Sequence, residues 1–306
     1  MDRYGEMQAF VQVVEHGGFT EAAKVLGLSP SAVSKLISRL EDRLGARLLQ
    51  RTTRRVSLTA EGRVYADQVR EILADIDAVE ASVGGAEAEP RGPLRVNVAH
   101  GFGMTQVVPL IPDFLARYPK VDVQITFADH VVDLVAEGED VGIRTGPLRD
   151  EALIARKLGE HRRIICAAPA YIERYGMPQT PDDLARHNCL LFDGPEGLNE
   201  WPFRTADGGI ERRPIRGNFR SSNGDAIFRM LLDGVGLCYA ADFGIKQAIE
   251  DGRLVPVLAD HTADILRPIH VVYPARKHLA AKVRAFADYL VERFSPVPPW
   301  RMRADR

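Results

Sequence analysis

Residues 17–49 read GGFTEAAKVLGLSPSAVSKLISRLEDRLGARLL, and this stretch decides the architecture. Gly17-Gly18 closes a preceding helix in which Met7, Phe10, Val11 and Val14 recur at helical spacing. Thr20 is placed to cap a second helix, whose apolar side is Ala22, Ala23, Val25 and Leu26 and whose stop is Gly27. Ser29-Pro30 then opens a third helix, because serine is a favoured cap and the fixed φ of proline suits the first helical position. Val33, Leu36, Ile37, Leu40 and Leu44 form one stripe along it, and Gly45 ends it. Two helices joined by the tight turn Gly27-Leu28-Ser29 have the geometry of a helix-turn-helix. RTTRRVSLT, residues 51–59, follows as a short basic hairpin, a wing.

Beyond the wing, the spacing predicts one long helix over residues 59–83. Thr59 is its cap and Glu61 lies in the first turn, where the helix dipole favours a carboxylate. Tyr65, Val69, Ile72, Ile76, Val79 and Val83 follow in steps of four and three, the seam along which helices pair, and are assigned to dimerisation. At 1.5 Å per residue, such a helix is a rod of nearly ~40 Å, a connector rather than a core element. GGAEAEPRGP breaks the pattern as a linker.

From Leu94 strands and helices alternate: LRVNVA, a helix near 107–118, VDVQITFA, a helix near 131–137, then DVGIR. That alternation argues a parallel sheet with helices on both faces. Around RRIICAAP the chain leaves to build a second lobe, with a helix near 226–233 and the strand GLCYA. RPIHVVYPA and a helix near 279–294 return to the first. The expected fold is α/β: a winged helix-turn-helix over 1–58, a linker and dimerisation helix over 59–88, and a two-lobed α/β effector domain over 89–306. Lobe 1 covers about 94–163 and 269–306, lobe 2 about 164–268.

Composition narrows the function. The 306 residues are 45% hydrophobic and 27% charged, ordinary for a globular chain with sizeable cores. The formal charge of -2 hides an uneven spread: residues 35–63 hold eight basic and three acidic side chains, a nucleic-acid footprint. Cys166, Cys189 and Cys238 sit far apart in apolar runs without zinc-ligand spacing, so no metal and no cofactor are expected. There is no G-x-S-x-G elbow and no phosphate-binding loop, so an enzyme is not expected. The N-terminus lacks a secretion signal, and no apolar run approaches the ~20 residues that span a bilayer. The expectation is a cytoplasmic protein without a membrane partner.

The first 65 residues closely resemble the LysR-type transcriptional regulators, through Phe10 and its following valines, residues 17–49 and QRTTRRVSLTAEG. GPLRVNVA, PLIPDFLARYP, DLVAEGEDVGIRTGPL, APAYIERYG and GVGLCYA resemble the effector domain of the same family, whose two lobes resemble periplasmic binding proteins. Leu49 departs from the family's frequent Phe, one apolar residue for another. The resemblance implies a homo-oligomer, often a dimer of dimers and here expected as a homotetramer. It also implies regulation of a promoter on double-stranded DNA in response to a small-molecule effector.

In a helix-turn-helix the start of the second helix enters the major groove. Ser29, Ser31, Ala32, Ser34, Lys35, Ser38 and Arg39 are therefore assigned to DNA, with Arg51, Arg54 and Arg55 of the wing on phosphates or in the minor groove. Ligands of open α/β sheets bind beyond the carboxyl ends of the strands. That places His100, Gly101, Phe102 and Thr105 after the first strand, and Arg144 and Thr145 after a later one. Ser221, Ser222 and Asn223 face them from the other lobe, with Phe127 and Phe203 as apolar walls. His100 and Arg144 favour an anionic or polar ligand, such as an organic acid or phenolic carboxylate. Two alternatives stay open: a thiol-based redox sensor of the same family, and a ligand-independent DNA binder.

Overall fold

The computed structural model describes residues 2–51, 56–84, 89–130, 132–148, 152–194, 198–275 and 279–301. The chain forms two compact units, one holding Met1–Glu89 and the other Pro90–Ala275 with Lys282–Arg306.

The first unit contains α1 (Arg3–Glu15), α2 (Phe19–Leu26), α3 (Pro30–Leu44), the hairpin strands β1 (Leu49–Arg51) and β2 (Val56–Leu58), and α4 (Ala60–Gly84). Local chemistry sets most of these ends. Gly27 caps α2 with φ 65°, a left-handed conformation that costs other residues steric strain. The Ser29 hydroxyl accepts from Ala32 N at 3.2 Å, and the Thr59 hydroxyl accepts from Gly62 N at 2.9 Å. Thr20 does not cap α2; the helix starts two residues earlier than that cap implies, at Phe19 with Gly18 at the cap position. Phe10, Val13, Val33, Ile37 and Leu40 make the core where α1 and α3 meet. A Cβ on Gly62 would lie 2.0 Å from Leu48 O, so only glycine lets α4 start against the wing.

One buried ion pair crosses this core. Arg43 donates through Nε and Nη2, at 3.1 and 3.0 Å, to Glu6 Oε2, and Glu6 is only 3% exposed. Removing one partner strands the other charge. Arg43→Met is therefore expected to destabilise the N-terminal unit by about 3 kcal/mol in urea unfolding. A cost below ~1 kcal/mol, the range of surface pairs, would contradict this assignment.

The second unit begins with β3 (Gly92–Val98), followed by a helical run comprising α5 (His100–Phe102), a π turn (Gly103–Val107) and a 3-10 turn (Val108–Leu110). Next come α6 (Ile111–Arg117), β4 (Val121–Phe127), β5 (Val141–Thr145), β6 (Leu153–His161), β7 (Arg163–Ala167), α7 (Pro169–Tyr175) and β8 (Leu191–Phe192). The strands β9 (Glu200–Arg204), β10 (Ile210–Pro214) and β11 (Arg220–Ser221) lead to α8 (Gly224–Leu232), β12 (Cys238–Ala241), α9 (Asp242–Glu250) and β13 (Val255–Pro256). β14 (Arg267–Pro274) and α10 (Ala281–Phe294) close the fold.

Five strands in the order β4-β3-β5-β14-β6 form the first lobe's sheet, and β12-β7-β13 the second lobe's. The large sheet is mixed rather than wholly parallel. β3 runs parallel to β4 and β5, whereas the returning β14 is antiparallel to β5 and β6. The helix expected near 131–137 is instead a run of turns among the described residues, where Asp133 Oδ1 accepts from Val135 N and Ala136 N and competes with a helix.

At the crossing between lobes, Asp242 is buried and accepts from Arg162 N at 3.2 Å and from Phe243 N at 2.8 Å. Burial raises its pKa from 3.8 to about 6, and burial depresses that of His161 from 6.5 to about 4. The two oppose each other. A raised carboxyl binds more protons when folded, so its contribution falls as pH rises from about 4 to about 6. A depressed imidazole gives a contribution that is lost as pH falls from 6.5 towards about 4. Asp242→Asn removes the first of these. Its stability relative to the parent protein is expected to rise with pH over the same window, as measured by urea titrations at each end.

Candidate functional site

Each unit presents one candidate site. On α3, Val33, Ile37 and Leu40 are fully buried, which fixes the rotation of the helix. Ser31, Lys35 and Arg39 consequently lie exposed in steps of four, one straight stripe. Ala32, Ser34 and Ser38 flank it half-buried, and Ser29 is exposed at the cap, its hydroxyl 3.0 Å from that of Ser31. Arg54 and Arg55 lie outside the described residues, as does the side chain of Arg51.

The seam assigned to dimerisation divides. Tyr65 packs edge-on against Phe10 at 5.4 Å, and Val69 is 1% exposed in the core built on α1. Both are corrected from partner contacts to intramolecular ones, because the first turns of α4 lie on their own domain. Ile72 is 44% exposed and Ile76 half-buried; the side chains of Val79 and Val83 lie outside the described residues.

In the second unit the carboxyl end of β3 leads straight into residues 100–105. His100 N donates to Asp129 Oδ1 at 3.0 Å, and its ring rests on exposed Phe127 at 5.1 Å. Across the cleft, Asn223 caps α8 by accepting from Asp225 N and Ala226 N, and Ser221 Oγ accepts from Asn223 N at 3.1 Å. His100 Nδ1 lies 3.2 Å from Asp225 Oδ2, close enough for an ion pair but not aligned as a hydrogen bond. A second bridge joins Gln106 Nε2 to Phe243 O at 3.0 Å. Sequence reasoning missed Asp225, Asp129 and Gln106. Asp225 had a signal: it stands in the first turn of the helix that Ser221, Ser222 and Asn223 introduce.

Thr145 and Ser222 are exposed, and Thr105 donates its hydroxyl to Gly101 O at 2.7 Å. Three residues differ from expectation. Phe102 is fully buried, edge-on to Phe243 and Trp300 at 5.1 Å each, so it serves the core and not a ligand wall. Phe203 shares one face of β9 with Trp201, both sunk into the second lobe's core. Arg144 is committed to its own lobe, donating to Asn97 Oδ1 at 2.6 Å and Val132 O at 3.2 Å.

The cysteines are free and buried. Cys166 and Cys238 stand opposite each other on β7 and β12. Burial pushes Cys189 and Cys238 up to about 12 and raises Cys166 as well, so little thiolate is available for oxidation chemistry.

Comparison with known proteins completes the picture. Residues 4–63 match the bacterial regulatory helix-turn-helix model of the lysR family, and residues 87–295 match the LysR substrate binding domain. The HTH-type transcriptional regulator CrgA of Neisseria meningitidis is 37% identical over 287 residues, 94% of this chain and 95% of that protein. The chain belongs to the LysR family of transcriptional regulators. The solved CrgA structure superposes on this regulator with a TM-score of 0.65 at 36% identity, over 95% of this chain and 98% of that one. The full-length structure of the Vibrio cholerae virulence activator AphB gives 0.60 at 27% identity, over 95% and 99%. The transcriptional activator AaeR of Escherichia coli is 33% identical over 297 residues, 95% of each chain. This LysR regulator thus carries a helix-turn-helix head and an effector-binding domain. Among its described residues no helix is long and apolar enough to cross a membrane.

Proposed function

We propose that this regulator binds promoter DNA as a homo-oligomer, a dimer of dimers, through the Ser31, Lys35 and Arg39 stripe, and responds to a small organic acid in the interlobe cleft. The observation that carries the ligand class is His100. Its Nδ1 is buried, faces the other lobe, and among the described residues has only the poorly aligned Asp225 carboxylate as an acceptor. A ligand carboxylate takes that place with better geometry, while Phe127 offers an aromatic face and Ser221 and Ser222 offer hydroxyls. Exchanging an interlobe contact for a ligand contact changes the spacing of the lobes, and that is the response. Outward-facing Ile72 on α4 supplies apolar surface for pairing two heads.

The test is footprinting on the DNA upstream of the regulator's own gene, with and without a panel of aromatic and aliphatic acids. A discrete, salt-sensitive footprint is expected, shifted by one acid in the parent protein and unshifted in His100→Ala. Absence of any footprint at low salt overturns the DNA reading. A shift that persists in His100→Ala overturns the assignment of the cleft.

A further inference from the structure

We infer that a cavity at the root of the second lobe, lined by Arg162, Arg163, Arg204 and Asp264, is a second ligand site that takes a small dianion. Its volume is about 250 Å³. None of its lining residues belongs to the cleft around His100.

Arg162, Arg163, Arg204 and Asp264 share the lining of this cavity. Asp264 is already engaged, its Oδ2 lying 3.1 Å from Arg162 Nη1. Arg163 is the unusual member. Its Nη1 donates to Tyr239 O at 3.3 Å, and its Nε is buried with no hydrogen-bond partner among the described residues. Burial lowers its pKa; the nearby Cys238 thiol opposes that shift and Arg267 reinforces it. A buried cation is ordinarily paired, because an uncompensated one is costly. A bound oxyanion supplies the missing opposite charge, taking its hydrogen bonds from exposed Arg204 and half-buried Arg162. Ile165, Pro256, Val257 and Ala263 complete the wall, so the site accepts a short apolar stem beside the charged group. A dicarboxylate and a phosphoryl group share this chemistry.

The position gives the site a consequence. Arg162 and Arg163 lie where the chain enters the second lobe, and Asp264 lies three residues before β14 carries it back. An anion held between them ties the outgoing segment to the returning one, so its binding is coupled to the spacing of the lobes.

The test is isothermal titration of the full-length protein with succinate and, separately, inorganic phosphate. At least one is expected to bind, and the pair of titrations tells the two sources apart. Arg204 is exposed, so Arg204→Gln keeps the fold; it is expected to weaken binding by about tenfold or more. Arg163→Met is expected to abolish binding while leaving the melting temperature equal or higher, since it removes an unpaired buried charge. Three results would each overturn the inference. They are no binding of either anion at millimolar concentration, binding unchanged in both arginine variants, or binding lost in His100→Ala but kept in Arg204→Gln.

Discussion

A regulator carrying Lys35→Ala and Arg39→Ala together is expected to lose about two orders of magnitude or more in affinity for its operator. The two side chains stand one turn apart on the exposed stripe of α3, four and eight residues after Ser31. A long cation on this face reaches either a guanine edge or a phosphate, and each good contact contributes about 1–3 kcal/mol. The two roles separate by salt dependence. Removing a cation that touches a phosphate lowers the slope of log affinity against log salt by roughly one, whereas removing one that reads a base lowers discrimination between sequences. Both readouts come from one series of fluorescence-anisotropy titrations against operator and scrambled duplex at several salt concentrations. Affinity and slope equal to those of the parent protein would remove α3 from the interface.

Trp300→Ala is expected to cost the second unit about 3–5 kcal/mol, the range for truncating a large buried aromatic side chain. Trp300 is 1% exposed, packs edge-on against Phe102 at 5.1 Å and Phe294 at 4.9 Å, and donates from Nε1 to Glu160 O at 2.9 Å. The consequence reaches the cleft. Phe102 follows His100 by two residues in the same short helix, so loosening its aromatic neighbours loosens the segment that carries the imidazole. The response to the organic acid is therefore expected to weaken in Trp300→Ala even at temperatures where the domain stays folded. Urea unfolding gives the first quantity and the ligand-dependent footprint the second. A cost below ~1 kcal/mol would show that the C-terminal segment only lies on the surface.

Much of this molecule was legible in its sequence because the controlling interactions are local. Ser29-Pro30, Gly27, Gly45 and Thr59 act within four residues of themselves, so the ends of α2 and α3 and the start of α4 follow from spacing alone. The same locality exposes the stripe Ser31, Lys35 and Arg39: once Val33, Ile37 and Leu40 are assigned inward, the opposite face is fixed by the helical period. Of the two loops expected to face each other, the first carries His100, which approaches Asp225, two residues beyond the second.

What the tertiary structure alone decided is which surface each apolar or charged residue meets. The spacing of Tyr65 and Val69 states that they seek burial, and only packing reveals that α1 covers them instead of a second helix. Phe102 stands beside His100 and Gly101 in the chain and Phe203 on an apolar strand, yet backbone direction turns both into cores. Arg144 meets Asn97, and Arg43 meets Glu6, across 47 and 37 residues of sequence. Periodicity encodes a preference for the interior or for water, but the identity of a partner distant in sequence arises only when the folded chain brings the two surfaces together.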